Sequence, residues 1–253
     1  MLKIATWNVN SLRIRLPQVL DWAKKFKPDI LALQETKVTD DKFPLEAIQA
    51  AGYHAAFSGE KAYNGVALLS RLQASDIITD LPEEPQRRFL GATYANNLRV
   101  LNVYVPNGTA ADSEKYHFKL NWLKKLQDYA RDSLKDYPRL IVLGDFNIAS
   151  EDRDVHDAWD SDLLVSPPER AALEDLVNLG LRDTFRLFKQ APKSFSWWDH
   201  RGGAFWRNRG ARIDLILAST ALNCTACVID KAPRRLKRPS DHAPVMASFK
   251  TTR

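Results

Sequence analysis

Cysteine is scarce in this chain, with 2 in 253 residues, Cys224 and Cys227. That number excludes a disulfide-stapled scaffold and a four-thiolate zinc site. The two are spaced C-x-x-C, but no second pair exists. The segment also lacks the early strand-to-helix setting of a dithiol redox site, so they read as small core residues. Histidine is scarce too, at 5, and the absence of an H-E-x-x-H pattern argues against a zinc hydrolase. No serine-centred nucleophile elbow and no glycine-rich phosphate loop is present. No apolar run approaches the ~20 residues that span a bilayer. The opening Met-Leu-Lys-Ile-Ala-Thr lacks the basic head, apolar stretch and small-residue cleavage site of a signal peptide. The expectation is a cytoplasmic protein in a reducing compartment, with no membrane partner.

What remains is an ordinary globular balance, 45% hydrophobic and 27% charged, enough for a sizeable core. Lysine and arginine number 37 against 31 aspartates and glutamates, a net charge of +6 that favours a polyanionic partner such as nucleic acid. No composition shift or linker divides the chain, so residues 1–253 read as one domain working as a monomer.

The organising stretch is residues 139–147, Arg-Leu-Ile-Val-Leu-Gly-Asp-Phe-Asn. The apolar run 140–143 is the signature of a strand buried on both faces. Gly144 breaks it, and Asp145 and Asn147 follow at the end of a rigid element. Residues 28–35 repeat the pattern, an apolar run ending in Glu35.

Around these, residues 3–7 predict a strand. Pro17 predicts the start of a helix whose apolar face is Val19, Leu20, Ala23 and Phe26, closed by Pro28. With the strand ending at Glu35 this makes a β-α-β unit. Residues 53–57 and 65–70 predict strands, and 89–94 with 98–105 a hairpin turning at Asn96-Asn97. Residues 113–135 predict a long helix with Leu120, Leu123, Leu126, Ala130 and Leu134 on one face. Residues 149–168 predict a long surface loop, and 169–179 a helix ended by Gly180. Later strands are expected at 195–198, 213–218, 225–229 and 245–249, with basic loops at 201–212 and 231–238. The alternation predicts an α/β fold of two sheets packed face to face with helices outside, in two similar halves.

Polar residues recur where apolar runs end: Asn8, Glu35, Tyr104, Asn107, Asp145, Asn147, Asp214 and the pair Asp241-His242. Each alone is an ordinary turn or cap former. Gathered at one edge, they suit hydrolysis of a phosphodiester. Glu35, with Asn8 and Asp241, offers hard oxygen ligands of the kind Mg²⁺ prefers. Asp145 is a candidate to orient or deprotonate a water, and Asn147 and Asn107 can donate to phosphate oxygens. His242 can donate if protonated, with Asp214 holding its ring.

The segments Trp7-Asn-Val-Asn10, Leu33-Gln-Glu-Thr36, Tyr63-Asn-Gly-Val-Ala67, Val103-Tyr-Val-Pro-Asn-Gly108, Gly144-Asp-Phe-Asn147, Arg212-Ile-Asp-Leu215 and Pro239-Ser-Asp-His-Ala-Pro244 resemble, in order, the motif series of the exonuclease III family of abasic-site endonucleases. They cover nearly the whole chain. The resemblance implies a four-layer α/β sandwich of two mixed sheets, DNase I-like, with the site at one edge. It implies a Mg²⁺-dependent nuclease, with Mn²⁺ as a substitute, that cuts double-stranded DNA 5′ to abasic sites and trims blocked 3′ ends. It implies Glu35 as the main metal ligand with Asn8 beside it, and Asp145 as the water-activating aspartate. Asn147 becomes the transition-state stabiliser, Tyr104 and Asn107 the phosphate-contacting pair, and His242, with Asp214, the contact to the scissile phosphate. Asp145, Asn147 and Asp241 are candidate ligands of a second ion, and the metal count stays open.

By the same resemblance Trp197 and Ile213 line a pocket for a flipped-out, baseless sugar, and Trp198 beside them could narrow it. Ser166 is a small residue at its border, which argues for an open pocket. Arg201, Trp206, Arg207, Arg209 and Arg212 form a loop suited to a DNA backbone. Ser11 stands where many relatives carry glycine. The alternatives are a 3′–5′ exonuclease or 3′-phosphatase with little abasic incision, a lipid or inositol phosphodiesterase of the same fold, and a non-catalytic DNA-binding module.

Overall fold

The computed structural model describes residues 1–251. The first sheet holds β1 (Leu2–Asn8), β2 (Ile30–Gln34), β3 (His54–Ser58), β4 (Val66–Ser70), β11 (Cys224–Ile229) and β12 (Val245–Phe249), in the order β11-β12-β1-β2-β4-β3. The second holds β5 (Ser75–Ile78), β6 (Phe89–Tyr94), β7 (Leu98–Tyr104), β8 (Arg139–Asp145), β9 (Leu181–Asp183) and β10 (Asp214–Ser219), in the order β5-β6-β7-β8-β10-β9. Each sheet has one parallel pair at its centre, β1 with β2 and β7 with β8, and antiparallel pairs elsewhere. The parallel pairs are bridged by α1 (Leu12–Phe26) and α3 (Glu114–Asp136), because parallel neighbours need a crossover. These are the two similar halves that the sequence suggested.

The layers follow from side-chain alternation. Ile141 and Leu143 face the other sheet with Ile4, Ala32 and Leu68, while Leu140 and Val142 turn outward to Trp122 and Leu126 of α3 and Leu173 of α4 (Pro167–Val177). Ala5, Trp7, Leu31 and Leu33 turn outward to Val19 and Trp22 of α1. Strands covered on both faces explain the unbroken apolar runs. The result is the four-layer sandwich.

One polar knot crosses the apolar interior. Asn102 of β7 donates to the carbonyls of Leu33 and Ala67 in the other sheet, at 3.0 and 2.9 Å, and accepts from Gln34 Nε2 at 2.7 Å. It is fully buried. Replacing Asn102 with Ala removes all three bonds and is expected to cost about 3 kcal/mol. Urea denaturation at unchanged m-value checks this, and an unaltered midpoint would rule the clamp out as a stabilising element.

Several expectations need correction. Pro17 lies inside α1, which begins at Leu12, because Asn10 and Ser11 turn the chain at once with φ of 42° and 89°. That φ at Ser11 belongs to the left-handed side where glycine is at ease. Residues 195–198 form no strand; Trp197 makes isolated bridges to Ala211 and His242. α2 (Leu45–Ala50), β5 and β9 were not foreseen. They are short, and β5 is exposed along its whole length, so none carries a strong apolar period. Cys227 is buried in the interior between the sheets and Cys224 packs against it, as small core residues do.

Candidate active site

The two β-α-β units deliver their C-terminal strand ends to one edge. β1 ends at Asn8, paired with Gln34 of β2, and β7 ends at Tyr104, paired with Asp145 of β8. β10 runs antiparallel to β8, so its first residue, Asp214, lies opposite Asp145. Gly144 is required here: its φ is 148°, and a Cβ would sit 1.9 Å from the Val103 carbonyl oxygen. The chain turns sharply just beyond, since Glu35 and Asn147 both take left-handed φ, 51° and 49°.

Asn8 is the hub. Its Nδ2 donates to Glu35 Oε1 at 2.8 Å and to Asp145 Oδ2 at 2.9 Å, while its oxygen accepts from the Asn10 backbone at 3.0 Å. Asn8 thus lies beside Glu35 as expected, but turns its amide nitrogen to the carboxylates. Asp145 Oδ1 accepts from the Asn147 backbone at 2.9 Å. Asn147 Nδ2 donates to the Val105 carbonyl at 2.9 Å, which leaves one N–H, and its Oδ1 accepts from Asn107 Nδ2 at 3.2 Å. Lys37 pairs with Glu35 Oε2 at 2.8 Å.

His242 is held from behind. Its Nδ1 meets the Asp214 carboxylate at 2.9 and 3.1 Å, and its Nε2 faces Asp145 Oδ2 at 3.7 Å. Trp7 Nε1 fixes the His242 carbonyl at 3.2 Å. Burial alone would push the imidazole pKa down, but the charges of Asp214 and Asp145 carry it well above the ordinary value, which favours the charged ring. Burial pushes Asp145 up; Asp214 and Glu35 add to that, against His242 and Asn8. Burial and the Glu35 charge hold the Tyr104 phenol far above its usual range, so it stays a donor. For Asp241 burial acts upward, yet His242, Asn10, His200 and Trp197 bring it down to about 2.

Glu35, Tyr104, Asp145, Asn147 and His242 floor a cavity of about 750 Å³ that also exposes Asn107, Trp197, Arg201, Ile213 and Asp241. Asp241 receives Asn10 Nδ2 at 2.9 Å and Trp197 Nε1 at 3.1 Å. Trp197 and Ile213 pack with Leu164, and Trp159 stands edge-on to Trp197 at 6.4 Å, so the wall is apolar. Sequence reasoning missed Trp159, His156 and Leu164, which share that wall, because the 149–166 loop has no period to read.

Other expectations moved. Ser166 does not line the cavity: it is the N-cap of α4, in a capping box with Glu169, which also starts that helix two residues before the expected position. Trp198 does not narrow the pocket; it is buried in a separate cluster with Phe195 and Phe205. Arg212 is buried and bonded to Asp154 at 2.7 and 2.9 Å, so it cannot reach a ligand. Trp206 and Arg207 are exposed on the 201–210 turn, outside the cavity, and Arg201 stands at the rim paired with Asp199. Of the second basic loop, Arg234 is buried under Trp198 and Phe205, while Arg235, Lys237 and Arg238 are exposed.

The arrangement combines a carboxylate able to accept a proton from water, a fixed imidazolium, and amide donors beside a set of hard carboxylate oxygens. One ligand atom from each of Glu35, Asp145 and His242 lies within 4.8 Å of the others. Carboxylates keep lone pairs beyond the bonds described, so Glu35 and Asp145 fit a hard divalent cation.

Comparison with known proteins covers nearly the whole chain. Residues 5–242 match the model of the endonuclease/exonuclease/phosphatase family. Exodeoxyribonuclease III of Haemophilus influenzae is 36% identical over 98% of this chain and 100% of its own. Among solved structures, the 3′ phosphatase NExo from Neisseria, bound to a product DNA hairpin, superposes with a TM-score of 0.96 at 43% identity, covering 99% of this chain and 100% of that one. An AP endonuclease from Archaeoglobus fulgidus superposes at 0.94 with 40% identity, again over 99% and 100%.

Proposed function

The chain belongs to the endonuclease/exonuclease/phosphatase family, and from that premise we propose that it is a Mg²⁺-dependent DNA repair nuclease. It cuts double-stranded DNA 5′ to abasic sites and trims blocked or ordinary 3′ ends, acting as a cytoplasmic monomer built from one domain. The observation that carries this reading is the floor of the cavity, a carboxylate and an imidazolium 3.7 Å apart beneath an apolar wall of Trp197, Ile213 and Leu164. The floor suits a phosphate and the wall suits a sugar that has lost its base.

Asp145 accepts the proton of the attacking water and aims it at phosphorus. His242 donates Nε2–H to a phosphate oxygen, with Asp214 keeping the ring charged and oriented. Asn107 and Asn147 donate amide hydrogens to the non-bridging oxygens, and Tyr104 its hydroxyl. Glu35 and Asp145 would hold the ion, with Asp241 and the Asn147 oxygen as donors for a second. When bound, Mg²⁺ offsets negative charge on the phosphate and its leaving oxygen. Asn8 locks the two carboxylates together. Arg201 at the rim, with Arg207 and Trp206 beyond it, meets the DNA backbone, which makes binding salt-dependent.

The test is a labelled duplex with one abasic-site analogue, incubated with Mg²⁺, with Mn²⁺ and with a chelator, beside a duplex with a 3′-phosphate. The expected result is incision just 5′ of the lesion, abolished by chelation and restored by either ion. End-trimming without incision assigns the protein to 3′-exonuclease or 3′-phosphatase work, as the name of its Neisseria relative suggests. No cleavage with either ion overturns the reading.

A further inference from the structure

Behind the site lies a charged pair that the chemistry above does not use. Lys119 of α3 and Glu169 of α4 are both 0% exposed. Lys119 Nζ bonds Glu169 Oε1 and donates to the backbone carbonyl of Asn147 at 2.7 Å. The other oxygen, Glu169 Oε2, accepts from the Ser166 backbone at 3.1 Å and its hydroxyl at 2.7 Å. Tyr116, one turn before Lys119, closes the chain with its hydroxyl 2.6 Å from Ser166 Oγ.

Taking two charges out of water is costly, and a buried ion pair is a weak source of stability. Apolar side chains would fill the α3–α4 contact at lower cost, so what this pair adds is geometry. It grips the left-handed turn at Asn147, whose carbonyl has no strand partner. It also grips the end of the 149–166 loop that forms the cavity wall. The side chain of Asn147 is tethered at its front by Asn107 and Val105, and Lys119 holds its backbone carbonyl at the rear.

We propose that Lys119 and Glu169 are positioning residues, a buried pair that sets the Asn147 amide in register with the rest of the site. This rests on the functional reading for what the Asn147 amide does, but not for how it is held.

The experiment uses the full chain carrying Lys119→Met together with Glu169→Gln. Both charges go at once, so neither is stranded, and Gln keeps an oxygen for the Ser166 cap. With a 3′-phosphate or abasic duplex, kcat is expected to fall on the order of 100-fold, as when a reacting group is displaced by about 1 Å. KM changes little, and thermal stability is retained. In an Asn147→Ala background the same pair of substitutions should cost nothing further, since the residue they position is gone. A folded double variant with wild-type kcat overturns the proposal. So does an equal loss in the Asn147→Ala background, which would reveal a merely structural role. Nitrogen-edited NMR reads the Asn147 side-chain amide directly. Its signal should move in the double variant even if the wild-type protein cuts no DNA, and an unmoved signal overturns the positioning role regardless of the substrate.

Discussion

Asp145→Asn is expected to leave the sandwich intact and remove on the order of 10⁴ of the single-turnover rate, the upper end of what a positioned general base contributes. The carboxylate sits on the last residue of β8, receives the Asn147 backbone and Asn8, and faces the His242 cation. An amide keeps the shape and cannot take the proton. The same substitution should not lower stability. Burial raises the Asp145 pKa on folding. A group of that sign makes folding less favourable as pH climbs from the ordinary carboxylate range, about 4, through the raised value. At neutral pH, in chelator, the ionised carboxylate therefore costs stability, and Asn should melt no lower than wild type. Rapid-quench kinetics and a thermal melt of one preparation read both halves. A variant that turns over at the wild-type rate would remove Asp145 from the mechanism.

His242→Ala should lose roughly 10²–10³ in turnover, the size of one preorganised donor to a developing oxyanion. Here folding suffers as well. Asp214 is 1% exposed, and His242 is the partner described for its carboxylate. Stranding it should cost about 1–3 kcal/mol. His242→Ala with Asp214→Ala should recover much of that stability and none of the rate, because the second change removes the orphaned charge without restoring the donor. Urea titrations beside turnover measurements separate the two effects. An active single variant would mean that the imidazolium does not touch the phosphate.

Much of this site was legible before the fold was known. Strands covered on both faces must be apolar throughout, so their ends stand out wherever a carboxylate or amide follows, as at Glu35 and Asp145. Less legible was anything whose position depends on a distant partner. Ser166 reads as a pocket residue until Glu169 and Tyr116 claim its hydroxyl. Arg212 reads as a DNA contact until Asp154 claims its guanidinium. Pro17 reads as a helix start because proline favours the first turn; the positive φ of Asn10 and Ser11 begins the helix earlier.

What the chain determined by itself was the alternation of apolar runs and the order of polar punctuation, because strand and helix periods are local properties. From these came the two β-α-β halves, the family resemblance and nearly every residue of the cavity floor. Only the tertiary structure decided which amide faces which carboxylate, that Trp159 and Leu164 complete the apolar wall, and that Lys119 and Glu169 meet behind Asn147. Those are contacts between elements far apart in sequence, and they exist only once two sheets have packed and brought their strand ends to one edge.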